Sequence, residues 1–306
     1  SQSIFANVEL AWKSMLYLTV TGRNDWESAL AFSKYKSFFY PSVGLSAVVS
    51  EMVDMPEWFS FLKVRGSYSA VGSSYAAYLT KPYYDYKGQT HEWDSLHRFP
   101  NENLKPEKTK SWEVGLNARF FGGKLNFDAT WYRSDTFNQT FESTPSSTSG
   151  YSSVLVQAGQ VRNSGLEMLL NYHNTWRDFT WNTSVTYTMN RNKIKELVPE
   201  GTRDPDTGSL VDIKEVNKDY GGYRVKLVEG GSIGDFYVKG LLTDDKGHIY
   251  VDPNSNTVLL DPDPEAYIFA GNTEARFRWG WNNQFSYKGV SLGVLIDARI
   301  GGRGVS

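Results

Sequence analysis

The sequence predicts an all-β fold, namely part of a large antiparallel transmembrane β-barrel with long extracellular loops. Three observations predict it. Apolar and polar residues alternate with a period of two, aromatic residues are in excess without an excess of aliphatic ones, and short connections alternate with long ones. The chain has no run of about 18 apolar residues, so the sequence predicts no membrane-spanning helix.

The alternation is regular and extends over long segments. In one of them Trp112, Val114 and Leu116 share a face, while Glu113 and Asn117 lie on the other. Most of these segments are longer than the roughly five or six residues usual in globular proteins, and they suit tilted strands that cross a bilayer. They occupy residues 6–12, 16–23, 39–50, 62–70, 112–120, 125–131, 166–172, 179–189, 277–285 and 292–296.

The composition favours the same fold and excludes several functions. Aromatic residues make up 15% of the chain although only 40% is hydrophobic, as expected where rings line the two water boundaries of a membrane sheet. A soluble sandwich or propeller that binds sugars would have a similar composition. The net charge of −2 gives no reason to expect nucleic acid as a partner, and the absence of cysteine excludes disulfides, thiol catalysis and cysteine-based zinc sites.

The connections distinguish a barrel from a sandwich. Short connections are expected at residues 13–14, 51–60, 121–124, 174–178 and 287–289, and long ones at 24–37, 72–109, 137–153 and 195–271. Outer-membrane barrels have short periplasmic turns and long outer loops, whereas a sandwich has no reason to keep its long loops at one end. With about ten strands, the two ends of the chain are expected on the extracellular side, which predicts that further strands complete the wall.

Seven motifs, in order along nearly the whole chain, carry a resemblance to a known family. Residues 17–25, YLTVTGRND, resemble the YLTxTxRxD strand of SusC/RagA-type TonB-dependent transporters of Bacteroidetes. The other motifs are YPSV at 40–43 with VSE at 49–51, FLKVRGSY at 61–68, NLKPEKTKSWEVG at 103–115, NSGLE at 163–167, NRNKI at 190–194 and NNQFSYKG at 282–289.

The resemblance implies a localisation, a transport activity and partners. It implies an importer in the bacterial outer membrane, with a plugged barrel of about 22 strands, a SusD-like surface lipoprotein as its lid, and TonB as its energy source. The substrates implied are oligosaccharides or peptides. Residues 1–306 are expected to be the middle-to-late portion of the barrel domain, without the plug, the coupling box and the final strands.

Candidate binding residues lie in the second long loop. Rings stack on the apolar faces of sugars, and carboxylates accept hydrogen bonds from sugar hydroxyls. A loop rich in both types is therefore predicted to contact the substrate or the lid, with self-packing of a long loop as the alternative. The candidates are Tyr83, Tyr84, Asp85, Tyr86, Trp93 and Asp94, joined by Trp26 from the first long loop.

Two further sets of residues follow from the faces of the strands. Lumen-facing arginines are expected to pair with carboxylates of the wall or of a plug, and a substrate role is the alternative; they are Arg23, Arg65, Arg119, Arg276 and Arg278. Tryptophans on the apolar faces are expected to anchor the membrane girdles; they are Trp12, Trp112, Trp131, Trp181, Trp279 and Trp281.

No motif for covalent chemistry occurs in the sequence. A nucleophile elbow, a phosphate loop and zinc-ligand spacing are all missing, so neither an enzymatic activity nor a cofactor is predicted. Residues 244–252 contain several acids but lack the pattern of a calcium loop. An Asp-Gly turn in an extracellular hairpin is predicted there, with calcium binding as the alternative. A passive porin and a soluble glycan-binding β protein or glycosidase are the alternative functions.

Overall fold

The computed structural model describes residues 1–30, 33–73, 75, 86–89, 92–93, 98–99, 105–143, 153–157, 159–198, 214–220 and 222–304. Among them the chain forms strands and two short 3-10 helices, Ser28–Leu30 and Val49–Glu51. The strands are β1 (Gln2–Trp12), β2 (Leu16–Trp26), β3 (Ser37–Val48), β4 (Phe59–Ser73), β5 (Tyr86–Lys87), β6 (Glu92–Trp93), β7 (Arg98–Phe99), β8 (Glu107–Phe120), β9 (Leu125–Phe137), β10 (Thr140–Ser143), β11 (Ser153–Gln157), β12 (Gln160–Trp176), β13 (Phe179–Glu196), β14 (Glu215–Asp219), β15 (Tyr223–Val228), β16 (Asp235–Lys239), β17 (Tyr267–Asn272), β18 (Phe277–Tyr287) and β19 (Val290–Ile300).

Ten of these strands form one sheet, which we call the wall. Its order is β1-β2-β3-β4-β8-β9-β12-β13-β18-β19, and every neighbouring pair is antiparallel. All short connections lie at one rim and all long ones at the other. One of the two-residue turns, Lys288 and Gly289, has positive φ at both residues, as a type I′ hairpin turn requires. The predicted strand number and loop order are therefore confirmed.

The two faces of the wall differ in chemistry. Outward side chains such as Val8, Val114 and Leu292 are apolar and remain more than half exposed. In the described part of the chain, no second sheet packs on this outward face, so the two-layer sandwich is ruled out. Apolar exposure over a whole sheet face indicates contact with lipid. No helix in the described ranges has both the length and the apolar character to span a bilayer.

Two belts of aromatic rings border the outward apolar face. In three wall strands the belts are eight residues apart, from Trp112 to Phe120, from Phe179 to Tyr187 and from Phe277 to Phe285. Eight residues extend about 27 Å along a strand, or roughly 20 Å across a membrane once the strand tilt is included. This is the scale of the apolar band of an outer-membrane barrel.

The rings within each belt are in contact. At the short-turn rim the Phe179 ring stacks on Trp176 and Phe285, with centroid separations of 6.1 and 6.4 Å. At the long-loop rim Tyr68 contacts Trp112 at 4.6 Å, and Tyr187 contacts Phe277 at 5.6 Å. The belts therefore link neighbouring strands by ring contacts as well as by backbone hydrogen bonds.

The structure distributes the six predicted girdle tryptophans between several levels. Trp12 and Trp181 lie near the short turns, while Trp112 and Trp279 lie near the long loops. Trp131 is one row below Trp112, opposite Val114, and Trp281 lies midway between the belts. The anchoring role of these rings stays a prediction.

Two of these tryptophans also satisfy polar groups on the outward face. The indole N–H of Trp181 donates to Asn283 Oδ1 at 3.2 Å, and that of Trp281 donates to Thr183 Oγ1 at 3.0 Å. Asn283 is only 2% exposed. Because an unpaired amide in hydrocarbon is costly, these hydrogen bonds explain how polar residues are tolerated on a face that contacts lipid.

The long connections contain sheets of their own, which the sequence did not predict. Residues 195–271 were expected to be a loop, yet they include the four-stranded sheet β14-β15-β16-β17, here called the loop sheet. The third long connection continues to residue 159, beyond the expected end at 153, and contains the β10–β11 hairpin. These strands have only four to six residues, too few to span a membrane, so the period-two pattern of long segments does not reveal them.

The same substitution at two adjacent positions tests which face of the wall contacts lipid. Met168 lies on the outward face at mid-height, opposite Ala129 and Tyr187, whereas Leu169 faces inward between Asp128 and Thr186. Met168→Lys is expected to destabilise the folded full-length protein by about 2–4 kcal/mol, because lysine near the bilayer midplane is unfavourable. Leu169→Lys is the matched control and is expected to cost much less. Urea unfolding in lipid vesicles measures both; equal losses would contradict the assignment of the faces.

Candidate lumen wall and outer mouth

The inward face of the wall carries the polar side chains that would line an aqueous lumen. Arg23 and Asp25 both point to this face near the long-loop rim. Arg23 Nε lies 2.8 Å from Asp25 Oδ1, and the hydroxyl of Tyr40 on β3 donates to Oδ2 of the same carboxylate. Asp25 is buried, so both of its oxygens are satisfied without water. The expected pairing of Arg23 with a wall carboxylate is confirmed.

A second arginine reaches across an entire strand to its partner. Arg65 on β4 donates to both oxygens of Asp128 on β9, at 3.0 and 2.8 Å, and to Thr130 Oγ1 at 2.5 Å. The strand between them, β8, contributes Gly115 at this row. A Cβ at residue 115 would lie 2.7 Å from Arg65 Nε. The missing side chain is therefore what allows the guanidinium to cross β8.

The same arrangement recurs at two other inward-facing glycines. Tyr132 on β9 passes over Gly165 on β12 and donates to Asn190 Oδ1 on β13 at 3.1 Å. A Cβ at Gly165 would lie 2.5 Å from the Tyr132 hydroxyl oxygen.

Further along the sheet, Gly280 on β18 lies between Thr186 and Asp297. A Cβ there would lie 2.9 Å from Thr186 Oγ1 and 2.7 Å from Asp297 Oδ1. In all three rows a glycine leaves room for polar side chains from both flanking strands.

The other predicted lumen arginines have different surroundings. Arg119 lies 4.8 Å from the centroid of the Phe61 ring, a cation–π contact rather than an ion pair. Arg276 immediately precedes β18, and Arg278 lies opposite Thr188 and Arg299. In the part of the chain that the structure describes, neither of them forms an ion pair with a carboxylate. The expected pairing is thus found for Arg23 and Arg65 only.

The loop sheet is attached to the inward side of the long-loop rim. Val161 and Ile194, which face inward at the tops of β12 and β13, are buried in one cluster with Leu197, Val216 and Leu227. The backbone of Ile194 also exchanges hydrogen bonds with Gly230 and Gly231, each at 2.8 Å. The loop sheet is therefore fixed by apolar packing and backbone pairing at the edge of the mouth.

A single buried arginine joins distant segments of the loop sheet. Arg224 contacts Asp219 at 2.6 and 3.1 Å and Glu265 at 2.6 Å, and its guanidinium lies 4.1 Å from the centroid of the Tyr267 ring. Hydrogen bonds to the two carboxylates raise the pKa of Arg224, with Asp219 the larger cause. The pairing ties β14 and the segment before β17 to β15. Sequence reasoning missed this residue because its partners are 5 and 41 positions away.

The predicted loop contacts fall partly within the residues that the structure describes. Tyr83, Tyr84, Asp85 and Asp94 lie outside the described residues. Tyr86 and Trp93 pair as register partners in the short β5–β6 ladder, so the structure brings at least this pair together. A role for them in binding stays a prediction.

Trp26 requires a correction. The register pairs it with Gln2 and Ser37 on the outward face, the face of Leu16 and Val20. Its position suits the aromatic belt at the long-loop rim rather than the mouth. The alternation within β2 carried this information, because Trp26 is an even number of residues from Leu16.

The acidic segment 244–252 forms a hairpin, as predicted. Asp244 accepts hydrogen bonds from the backbone N–H groups of Lys246 and His248, both at 2.9 Å, and its carboxylate contacts His248 Nδ1 at 2.9 Å. The His248 side-chain contact is the largest factor that lowers the pKa of Asp244. The carboxylate is therefore engaged within its own turn. Among the described residues, no group of three or more histidine or acidic side chains is arranged to hold a metal.

Comparisons with known proteins agree with this geometry. Residues 1–295 match the family described as "TonB dependent receptor-like, beta-barrel". The chain is 27% identical, over 98% of its length, to TonB-dependent receptor P3 of Formosa agariphila, and it covers 32% of that protein. It is 26% identical, over 87% of its length, to TonB-dependent receptor SusC of Bacteroides thetaiotaomicron, covering 28% of that protein.

Solved structures share the fold. The RagAB peptide importer in its closed-closed state matches 96% of the chain with a TM-score of 0.75 at 19% identity, and 33% of the matched chain is covered. The outer membrane transporter YddB of Escherichia coli matches 94% of the chain with a TM-score of 0.53 at 10% identity, and 31% of that transporter is covered. At these identities the likeness concerns the fold alone.

These matches identify both the class of protein and the family to which the chain belongs. The wall is an outer-membrane β-barrel sheet, and the chain belongs to the TonB-dependent receptor-like β-barrel family. The resemblance to SusC/RagA-type transporters and the location in the outer membrane are confirmed. The matched proteins are receptors and transporters rather than enzymes. The chain spans about a third of the length of these curated relatives.

The role of Gly115 can be tested with a single methyl group. Gly115→Ala places a Cβ against Arg65 and is expected to displace its guanidinium from Asp128, at a cost of about 1 kcal/mol, since the pair is partly solvated. Gly66→Ala, one strand away on the outward face, meets only a backbone oxygen at 3.8 Å and is the control. The thermal midpoint of the full-length protein in detergent is expected to fall for the first variant only. Equal thermal midpoints for the Gly115→Ala and Gly66→Ala variants would contradict the proposed role of Gly115.

The contribution of Arg224 predicts a local effect on the loop sheet. Arg224→Met removes the hydrogen bonds to Asp219 and Glu265, and is expected to destabilise residues 214–272 locally by about 2 kcal/mol. Lys226→Met removes an exposed ion pair with Glu215 and is expected to cost less than about 1 kcal/mol. Amide hydrogen exchange in the full-length protein measures both. Unchanged exchange in the Arg224 variant would show that the sheet does not depend on this residue.

Proposed function

We propose that the protein containing this chain is an energised importer of oligosaccharides or peptides, with residues 1–306 forming part of its barrel wall and outer mouth. The observation that carries the proposal is the combination of a lipid-facing outer surface with a polar inner surface that ends in an inward-attached loop sheet. A structure of this kind separates the solute path from the membrane and provides a rigid platform where a solute would enter. The family membership supports coupling to TonB.

The class of solute follows from the relatives and from the chemistry of the wall. One relative is SusC, and one solved structure with the same fold is named a peptide importer. The inward face offers hydroxyl, amide and charged groups that could hydrogen-bond sugars and peptides alike, such as Thr19, Glu113 and Glu167. We therefore propose both solute classes together with a SusD-like lipoprotein as the partner at the mouth.

A passive porin is the second candidate, and uptake kinetics separate the two. Cells that express the full-length protein are given labelled oligosaccharides in one experiment and labelled peptides in another, with and without a protonophore. An importer is expected to show saturable uptake of at least one class that is lost when the proton gradient collapses. Uptake that rises linearly with concentration and is unaffected by the protonophore would indicate a passive porin and contradict the proposal.

The partner is tested separately from transport. The full-length protein, purified under mild detergent from its native host, is expected to retain a lipoprotein in a fixed molar ratio. The Arg224→Met variant, which loosens the loop sheet, is expected to retain less of it, whereas Lys226→Met should retain the normal amount. Recovery of the transporter alone in every preparation would contradict the proposed partner.

A further inference from the structure

The outward face carries a basic patch that begins at the level of Trp112, in the aromatic belt of the long-loop rim, and extends above it. It consists of two adjacent rows of side chains across β8, β9, β12 and β13. The lower row is Trp112, Arg133, Ser164 and Arg191, and the upper row is Lys110, Asp135, Arg162 and Lys193. The patch therefore has five cations and one carboxylate within about 14 Å, the width of three inter-strand spacings.

The single carboxylate does not neutralise the patch. Asp135 is buried and accepts hydrogen bonds from Arg162 Nε at 2.7 Å, Arg133 Nε at 3.1 Å and Gln160 Nε2 at 2.6 Å. Each arginine uses only its Nε for this contact. Within the described part of the chain, their terminal NH2 groups have no acceptor, so Asp135 orients two guanidinium groups whose remaining donors are available.

Among the residues that the structure describes, the other cations also lack a compensating carboxylate. Lys110 Nζ lies 5.1 Å from the centroid of the Phe137 ring, and Arg191 donates to the carbonyl oxygens of Asn190 and Arg276 at 3.1 and 2.7 Å. Lys193 is exposed, and no ion pair involves it among the described residues. Rings and carbonyl groups stabilise a cation without cancelling its charge, so the patch remains strongly positive.

The surroundings of the patch indicate what it binds. The row immediately below it is apolar, composed of Val114, Trp131, Leu166 and Met189. Cations at the edge of a lipid-contact band lie at headgroup depth, where they attract anionic lipid. Arginine guanidinium groups, moreover, match phosphate oxygens in charge and geometry.

The opposite rim has a balanced charge. Its connections carry four cations and four carboxylates, Lys13, Lys124, Arg177 and Lys288 with Glu51, Asp54, Glu57 and Asp178. A positive excess is therefore not a general property of the charged rims. The excess lies in the patch on the long-loop side, which corresponds to the outer leaflet of the membrane.

We propose that this patch binds the phosphate groups of lipid headgroups in the outer leaflet, with the acyl chains lying on the apolar row beneath. The proposal depends on the placement of the wall in the membrane and is independent of the transported solute. It assigns a ligand to the outward face, whereas transport concerns the inward one.

The test compares two triple variants of the full-length protein in a neutral detergent. Lys110→Gln, Arg191→Gln and Lys193→Gln together remove three charges from the patch and leave the Asp135 cluster intact. Lys13→Gln, Lys124→Gln and Lys288→Gln remove three charges from the opposite rim. Native mass spectrometry measures the binding of diphosphorylated lipid A. The first variant is expected to bind at least about tenfold more weakly, and the second within about twofold of the parent protein.

Further arms distinguish recognition of the lipid phosphates from acyl-chain binding, from misfolding and from binding of a protein. Dephosphorylated lipid A, with the same acyl chains, should bind weakly to the parent protein and equally weakly to the first variant. A charge-preserving variant, Lys110→Arg with Arg191→Lys and Lys193→Arg, should retain lipid binding. Retained binding would show that substitution at these three positions does not by itself disrupt the fold. Equal losses of lipid A binding in the two glutamine variants, or tight binding of the dephosphorylated lipid, would overturn the proposal. So would loss of a bound protein from the first variant with lipid binding unchanged.

Discussion

Backbone hydrogen bonding in a medium without water is the constraint on which the rest of this structure depends. Hydrocarbon offers no partner for an amide N–H or a carbonyl oxygen, so a spanning sheet must satisfy these groups between its own strands. The continuous antiparallel ladder from β1 to β19 does this across ten strands. Once the ladder is fixed, the pleat directs alternate side chains to opposite faces, and the separation of lipid from solute follows.

The same pleat places structural demands on the inward face. A lumen wall must hold charged groups in a partly desolvated setting, where an unpaired charge is costly. The rows through Gly115, Gly165 and Gly280 meet this demand because each leaves space for side chains from two flanking strands to approach. Arg65 thereby reaches a carboxylate two strands away. Glycine, which usually weakens a strand, here allows polar pairing across it.

At the long-loop rim, the inward and outward surfaces of the wall carry different features. Inside, Val161 and Ile194 anchor the loop sheet through a small apolar cluster. Outside, the same two strands contribute Arg162 and Lys193 to the basic patch. Adjacent positions on β12 and β13 thus connect the wall to the mouth on one side and to the membrane surface on the other.

The sequence by itself determined the fold class, the ten wall strands, the side of the long loops and the family, because period-two alternation and the order of connections are local properties. It also assigned Arg23 and Arg65 to the inward face. Only the tertiary structure decided which residues meet. The pairing of Arg65 with Asp128, the hydrogen bond from Tyr40 to Asp25, the crossing over Gly115, the loop sheet held by Arg224 and the rows of the basic patch all depend on register between strands. Register is set by pairing across the sheet, which no single segment encodes.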